Sequence, residues 1–176
     1  MTRGDLSNVS AIAREVHPFL PERPEVLAEK HRLFPQGAFV LQRGGVVVGY
    51  AIAHPWSLDE IPALDAFLVD LSPAADCLFL HDVALLPRAR GNRSAATLIE
   101  LLKVVALTGG LRQIALASVY GTKTLWGRLG FQERTLPAGN HKLSSYGDGA
   151  CYMMLDFYAG EGASRSSSLT APGEPI

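Results

Sequence analysis

The chain has 176 residues, 48% of them hydrophobic, and a formal net charge of −1 from 16 basic and 17 acidic residues. That length suffices for one domain with a sizeable core, the composition excludes a wholly disordered chain, and the balanced charge excludes a general polyanion binder, so no nucleic-acid partner is expected. Cys77 and Cys151 lie far apart in no metal-ligand spacing, with neither a secretory leader nor a membrane-length apolar run, which gives the expectation of a cytoplasmic protein without metal or membrane partner.

In chain order, residues 1–5 are expected to close a first strand. Asp5 or Ser7 caps a helix carrying Leu6, Val9, Ile12, Ala13 and Val16 on one side, and His17-Pro18-Phe19-Leu20-Pro21 breaks it. A second helix runs over 24–34 with Pro24 in its first turn. Strands at 38–42 and 46–53 flank Arg43-Gly44-Gly45 and read as a hairpin. His54-Pro55-Trp56 ends the second of them, and 57–76 is a long loop with at most one helical turn. Residues 77–86 form a buried apolar strand, 87–93 a turn, and 94–107 a helix whose broad apolar face predicts deep burial. Gly109-Gly110 stops that helix. A strand at 113–119, a short helix at 122–129 and strands at 131–135 and 151–157 follow, the last two separated by a Gly/Ser-rich loop. The expected architecture is therefore α/β (α+β): one domain over 1–158, a mixed sheet of six to seven strands with helices on both faces, and a disordered tail over 159–176.

The most informative stretch is the strand, turn and helix over 78–98. Arg88, Arg90 and Arg93 crowd the start of a helix, the positive end of its dipole, where each cation is unfavourable by about 0.3–1 kcal/mol. An external anion would resolve the conflict: free backbone N–H groups and arginines make a phosphate site, and Gly91 allows close approach of the backbone. A solvated turn whose arginines pair with surface carboxylates fits the charge pattern equally well. No Gly-x-Gly-x-x-Gly or Walker-type lysine marks any strand–helix junction, which counts against a generic nucleotide-binding domain.

Val83-Ala84-Leu85-Leu86-Pro87 followed by Arg90-Gly91-Asn92-Arg93-Ser94-Ala95 resembles the cofactor motif of the GCN5-related N-acetyltransferases, the GNAT superfamily, with Arg93 where that family usually has glycine. At the family's distance, Leu125-Trp126-Gly127-Arg128-Leu129-Gly130-Phe131 resembles its second motif, with Trp126 in the usual place of tyrosine. The resemblance implies two central parallel strands splayed apart to admit the pantetheine arm. It places acetyl-CoA, as co-substrate, against Val83, Ala84 and Leu85, and its pyrophosphate against Arg88, Arg90, Gly91, Asn92, Arg93, Ser94, Ala95 and Ala96. Trp126 is implied as a further cofactor contact. Partners would be acetyl-CoA and an amine, with a homodimer compatible with the family.

The implied reaction is direct attack of a primary amine, on a small molecule or a peptide, on the thioester. An amide near Leu85 would polarise the thioester oxygen. The amine needs a proton acceptor and the thiolate a proton. An indole cannot supply that proton, so Tyr120 and Tyr152 are the candidate acids beside solvent. Candidate bases are His81 and Asp82, of which strand alternation lets only one face the acceptor; both also read as packing residues. His54 either lines the acceptor pocket or is a surface residue at a strand end. The acidic residues Asp59, Glu60, Asp65, Asp70 and Asp76 either attract a cationic amine or are a solvated loop. The alternative to an enzyme is an acyl-CoA-binding domain that has lost transfer and serves as a sensor or interaction module.

Overall fold

The computed structural model describes residues 1–91, 93–137 and 141–158. Asn92 and the expected tail over 159–176 lie outside the described residues. Among the described residues, no helix is long and apolar enough to cross a membrane.

The chain opens with a 3-10 turn, Arg3–Asp5, where a strand end was expected. The Asp5 carboxylate accepts from the Thr2 backbone N–H at 2.7 Å and the Thr2 hydroxyl at 2.8 Å, which curls the chain. Asp5 therefore precedes helix α1 (Leu6–Val16) without capping it through its side chain. Helix α2 (Pro24–Leu33) starts at its proline as expected. Strands β1 (Ala38–Arg43) and β2 (Val46–Trp56) form the expected hairpin. Its turn needs two residues with positive φ, and Gly44 and Gly45 supply 55° and 78°.

Strand β3 (Cys77–Leu85), helix α3 (Ser94–Thr108), strand β4 (Gln113–Ser118), helix α4 (Lys123–Arg128) and strands β5 (Gln132–Glu133) and β6 (Cys151–Asp156) complete the order. The six-stranded sheet runs β1-β2-β3-β4-β6-β5. Among the described residues only β3 and β4 pair in parallel; the other pairings are antiparallel.

Alternation along the strands feeds two faces. Ala51, Ala53, Leu78, Leu80, Ile114 and Leu116 point to one face, where Ile99, Leu102 and Ala106 of α3 and Trp126 of α4 cover them. Tyr50, Ile52 and Ala84 point to the other, under Val9, Ile12 and Ala13 of α1 and Leu27 of α2. Toward the β6 side that second face is closed by Ile61 of the 57–76 loop and by Tyr146, which ends a 3-10 turn, His141–Tyr146, inside the expected Gly/Ser-rich loop.

The long loop is as expected, and one expectation, the deep burial of helix α3, needs correction. The 57–76 loop contains no helical turn. Side chains of α2 and its N-cap fix the loop backbone: Glu29 accepts from Leu68 N at 2.8 Å and Val69 N at 3.0 Å, and Arg23 donates to Asp65 Oδ2 at 2.8 Å. Helix α3 is less deeply buried than its composition suggested. Leu101, Val104 and Leu107 are exposed, because only one stripe of a helix laid on a flat sheet can touch it.

Candidate active site

The site begins with a β-bulge. In the β2–β3 register Ile52 stands opposite Asp82 and Ala53 opposite Leu80, so His81 is an extra residue with no partner. A bulge cancels strict alternation. His81 meets His54 and Glu22 while Asp82 meets Tyr50 and His17, so both side chains turn to the α1–α2 side of the sheet. The expectation that only one of them could face that side is overturned by this single inserted residue.

Next to the bulge the sheet opens. The parallel pairing of β3 with β4 covers only Leu78↔Ile114 to Leu80↔Leu116, while β3 continues to Leu85. Past Leu80 its β4-facing edge has no strand partner among the described residues, and the expected splay is present. Leu86 N donates to Val48 O at 3.0 Å, so alternate residues toward Ala84 bond to β2, and Val83 and Leu85 direct their backbone groups to the open edge. The Leu85 carbonyl indeed meets a group from outside the β2–β3 ladder, Arg90 Nε at 3.3 Å.

The open edge leads into the arginine turn. Pro87–Ala89 is a 3-10 turn whose Arg88 and Ala89 carbonyls accept from Arg43 at 3.0 and 3.2 Å, so a hairpin residue clamps it. Gly91 has φ 80° and Arg93 φ 58°, both left-handed. Arg93 is the N-cap position of α3 and gives no side-chain cap. Thr97 N donates to Arg93 O at 2.9 Å, and the amides of Ala95 and Ala96 belong to the first turn of the helix. Ser94 N is turned back to Gly91 O at 3.2 Å. The first-turn amides, the helix dipole and the exposed Arg88, Arg90 and Arg93 together suit a phosphate. Trp126 lies in the core on the α3 side, in edge contact with Phe131 at 5.8 Å, and its N–H is spent on Thr122 Oγ1 at 3.1 Å.

Two polar clusters occupy the α1–α2 side. The inner one is sealed. His81 Nε2 lies 3.1 and 3.2 Å from the Glu22 oxygens, His81 Nδ1 lies 3.4 Å from His54 Nε2, and Lys30 Nζ lies 3.4 Å from Glu22. The His81 side chain is 1% exposed and that of Lys30 0%. Burial pushes the Glu22 carboxyl up, but His81 and then Lys30 outweigh it and hold Glu22 down at about 2. Burial, reinforced by the charge of His81, pushes His54 down to about 3 and keeps it neutral.

The outer cluster borders the open edge. Tyr50 donates to Asp82 Oδ2, and His17 Nε2 lies 3.0 Å from Asp82 Oδ1. The His17 ring stacks on Tyr120 at 5.7 Å with the planes 6° apart. Tyr120, just beyond β4, holds φ 52° and is half exposed. Burial raises its phenol above the ordinary value. Burial disfavours the charged His17 ring, but Asp82, the Val83 carbonyl and Glu22 together more than offset it and raise its pKa.

Of the sequence-derived candidates, His81, Asp82 and Tyr120 thus converge at the bulge and splay, with His54 buried behind His81. Tyr152 stands apart: it is buried, and its hydroxyl accepts from Asp59 N at 3.1 Å. Burial holds the Cys77 thiol up at about 12, as suits a structural residue. The acidic loop residues mostly serve the loop itself, Asp65 against Arg23, Asp76 on Leu58 N, Asp70 on Leu71 N and Asp59 beside Arg134. Sequence reading missed His17, Glu22, Lys30 and Tyr50. Glu22, ahead of α2, and Lys30, in its last turn, look like ordinary surface charges. His17 carried one usable signal, a titratable residue at a helix end beside two prolines.

The sequence model of the acetyltransferase (GNAT) family matches residues 7–131. No curated protein matches the chain. Among solved structures, the GphF GNAT-like decarboxylase in complex with isobutyryl-CoA is 17% identical at a TM-score of 0.71, covering 89% of this chain and 96% of that one. N-acetylglutamate synthase from Neisseria gonorrhoeae, complexed with coenzyme A and N-acetyl-glutamate, is 18% identical at 0.67, covering 88% of this chain and 33% of that one. The ribosomal-protein-S18-alanine N-acetyltransferase from Escherichia coli is 20% identical at 0.60, covering 88% and 89%. At such identities the likeness is one of fold, and the three names span different chemistries on it.

Proposed function

Because the chain belongs to the GNAT acetyltransferase family, we propose that it transfers the acetyl group of acetyl-CoA to a primary amine, on a small molecule or a peptide, by direct attack on the thioester. One observation carries this reading: past Leu80 the β4-facing edge of β3 has no strand partner among the described residues, and the turn that follows it leads to the first-turn amides of α3. On that edge, the backbone of Val83, Ala84 and Leu85 lies along the pantetheine arm, and a Leu85-side amide polarises the thioester oxygen. Arg88, Arg90, Gly91, Arg93, Ser94, Ala95 and Ala96 hold the pyrophosphate.

The amine arrives from the α1–α2 side, where Asp82 and Tyr120 border the end of the open edge. His81 is sealed and acts on the acceptor only through its partners.

Titration calorimetry with acetyl-CoA, followed by thiol release over a panel of amines, tests the proposal. Micromolar binding and turnover on at least one amine are expected. Absence of acetyl-CoA binding ends the reading. Tight binding without turnover on any amine favours the acyl-CoA-binding module instead.

A further inference from the structure

Transfer from a thioester leaves a thiolate, and a thiolate departs more easily if it is protonated as it leaves. The described polar side chains around the open edge offer few donors. The Trp126 N–H is spent on Thr122, the Tyr152 hydroxyl lies at the 57–76 loop, and the Tyr120 hydroxyl lies against the Phe19 backbone. His81 is enclosed between Glu22 and His54.

His17 differs. It comes from the segment after α1 and crosses the mouth of the splay, with Asp82 of β3 on one side and the Tyr120 ring, past the end of β4, on the other. Its Nε2 lies 3.0 Å from Asp82 Oδ1, and the Val83 carbonyl at the open edge of β3 also lies against the ring. The neighbours hold the ring in place. Tyr120 keeps a left-handed backbone that only glycine adopts freely, and the Phe19 backbone lies at its hydroxyl, so the stacked pair ties the end of β4 to the end of α1.

Resting on the acetyl-transfer reading above, we propose that His17 is a catalytic residue: its imidazolium gives a proton to the departing CoA sulfur and then takes one from the attacking nitrogen, with Asp82 as its positioning residue. The steps balance. The amine nitrogen forms its bond to the thioester carbon and becomes positively charged. As the C–S bond breaks, its electron pair goes to sulfur, which takes the His17 proton. The neutral imidazole then removes the surplus proton from the new amide nitrogen and is again an imidazolium. The net result is one proton moved from nitrogen to sulfur, with nothing added.

The charged and titratable groups facing His17 are Asp82 on β3, Tyr120 beyond β4 and Glu22 ahead of α2, with Tyr50 of β2 reaching it through Asp82. Their balance favours the protonated ring, the state a proton donor needs.

The test has three arms. Calorimetry with acetyl-CoA checks the underlying reading, and failure to bind removes that reading and this proposal together. In the wild-type protein, the His17 ring signals, assigned by comparison with His17→Gln, are titrated by NMR with CoA and with desulfo-CoA. A midpoint higher by about one pH unit with CoA is expected, because a thiolate would lie against the ring. Equal midpoints overturn the proposal while leaving CoA binding intact. Acetyl-CoA turnover with hydroxylamine, a small strong nucleophile, is then compared in wild type and His17→Gln. A kcat lower by about 10²-fold or more in the variant, with KM for acetyl-CoA little changed and the alkaline limb of the pH profile lost, is expected. Equal kcat in a folded variant overturns it.

Discussion

Tyr50 and Asp82 are joined through the Tyr50 hydroxyl across the β2–β3 pair, although the register partner of Asp82 is Ile52. This diagonal contact, two residues along the strand, supports the Asp82 carboxylate from the sheet side while its other oxygen faces His17. Burial, with Asp82 beside it, raises the Tyr50 phenol well above its ordinary value, so it remains a donor. Tyr50→Phe removes that donor from a largely buried carboxylate. Stability should fall by roughly 1–3 kcal/mol in chemical denaturation, with thiol release about tenfold slower. A variant as stable and as active as wild type would show that the bond carries nothing.

Arg93 holds a left-handed backbone at the N-cap of α3. Arg93→Gly relieves a strain of about 1–2 kcal/mol but also loosens the unfolded chain, leaving a net gain of roughly 0.5–1 kcal/mol. It also removes a cation from the proposed pyrophosphate site. A higher Tm together with acetyl-CoA affinity about two- to fivefold weaker is the expected pair of results. Weaker binding without stabilisation would mean that the left-handed residue is not strained.

Trp126 packs in the core and bonds to Thr122. Trp126→Phe should cost about 1–2 kcal/mol of stability and leave kcat within about twofold of wild type. A large fall in kcat from a folded variant would return Trp126 to the chemistry.

The buried histidine shapes acid stability. His54 is near 3 in the folded protein against an ordinary 6.5, so the unfolded chain alone takes up a proton as pH falls below 6.5. Stability should therefore decline with a slope approaching about 1.4 kcal/mol per pH unit. Glu22, at about 2 against 4.5, adds a further decline below pH 4.5. His17 has the opposite sign: its raised value stabilises the fold below its unfolded pKa and that contribution fades as pH rises through the folded one. Urea unfolding at pH 7, 6, 5 and 4 should show the decline, and His54→Gln should flatten it between pH 6.5 and 4.5. A wild-type slope unchanged in the variant would remove His54 as the cause.

Much of the fold was legible along the chain because it rests on local signals. The Gly44-Gly45 turn, the proline at the start of α2 and the apolar run of β3 each constrain their own neighbourhood. The opening residues misled because Asp5 bonds back to Thr2, a side-chain choice that competes with an extended backbone. The exposure of Leu101, Val104 and Leu107 on α3 was also hidden, since composition does not tell which stripe of a helix meets the sheet.

The sequence by itself determined the strand, turn and helix of the arginine segment, because glycine, proline and apolar runs act through the backbone of their own neighbours. Tertiary structure alone decided what surrounds the end of β3. An inserted His81 turned two adjacent side chains to one side, and packing brought in Glu22, Lys30, Tyr50 and His17 from distant segments. The physical reason is that proton chemistry depends on distance and burial. Neither has a local signature when the partners lie tens of residues apart, as His17 and Asp82 do, and meet only once the sheet and its covering helices are assembled.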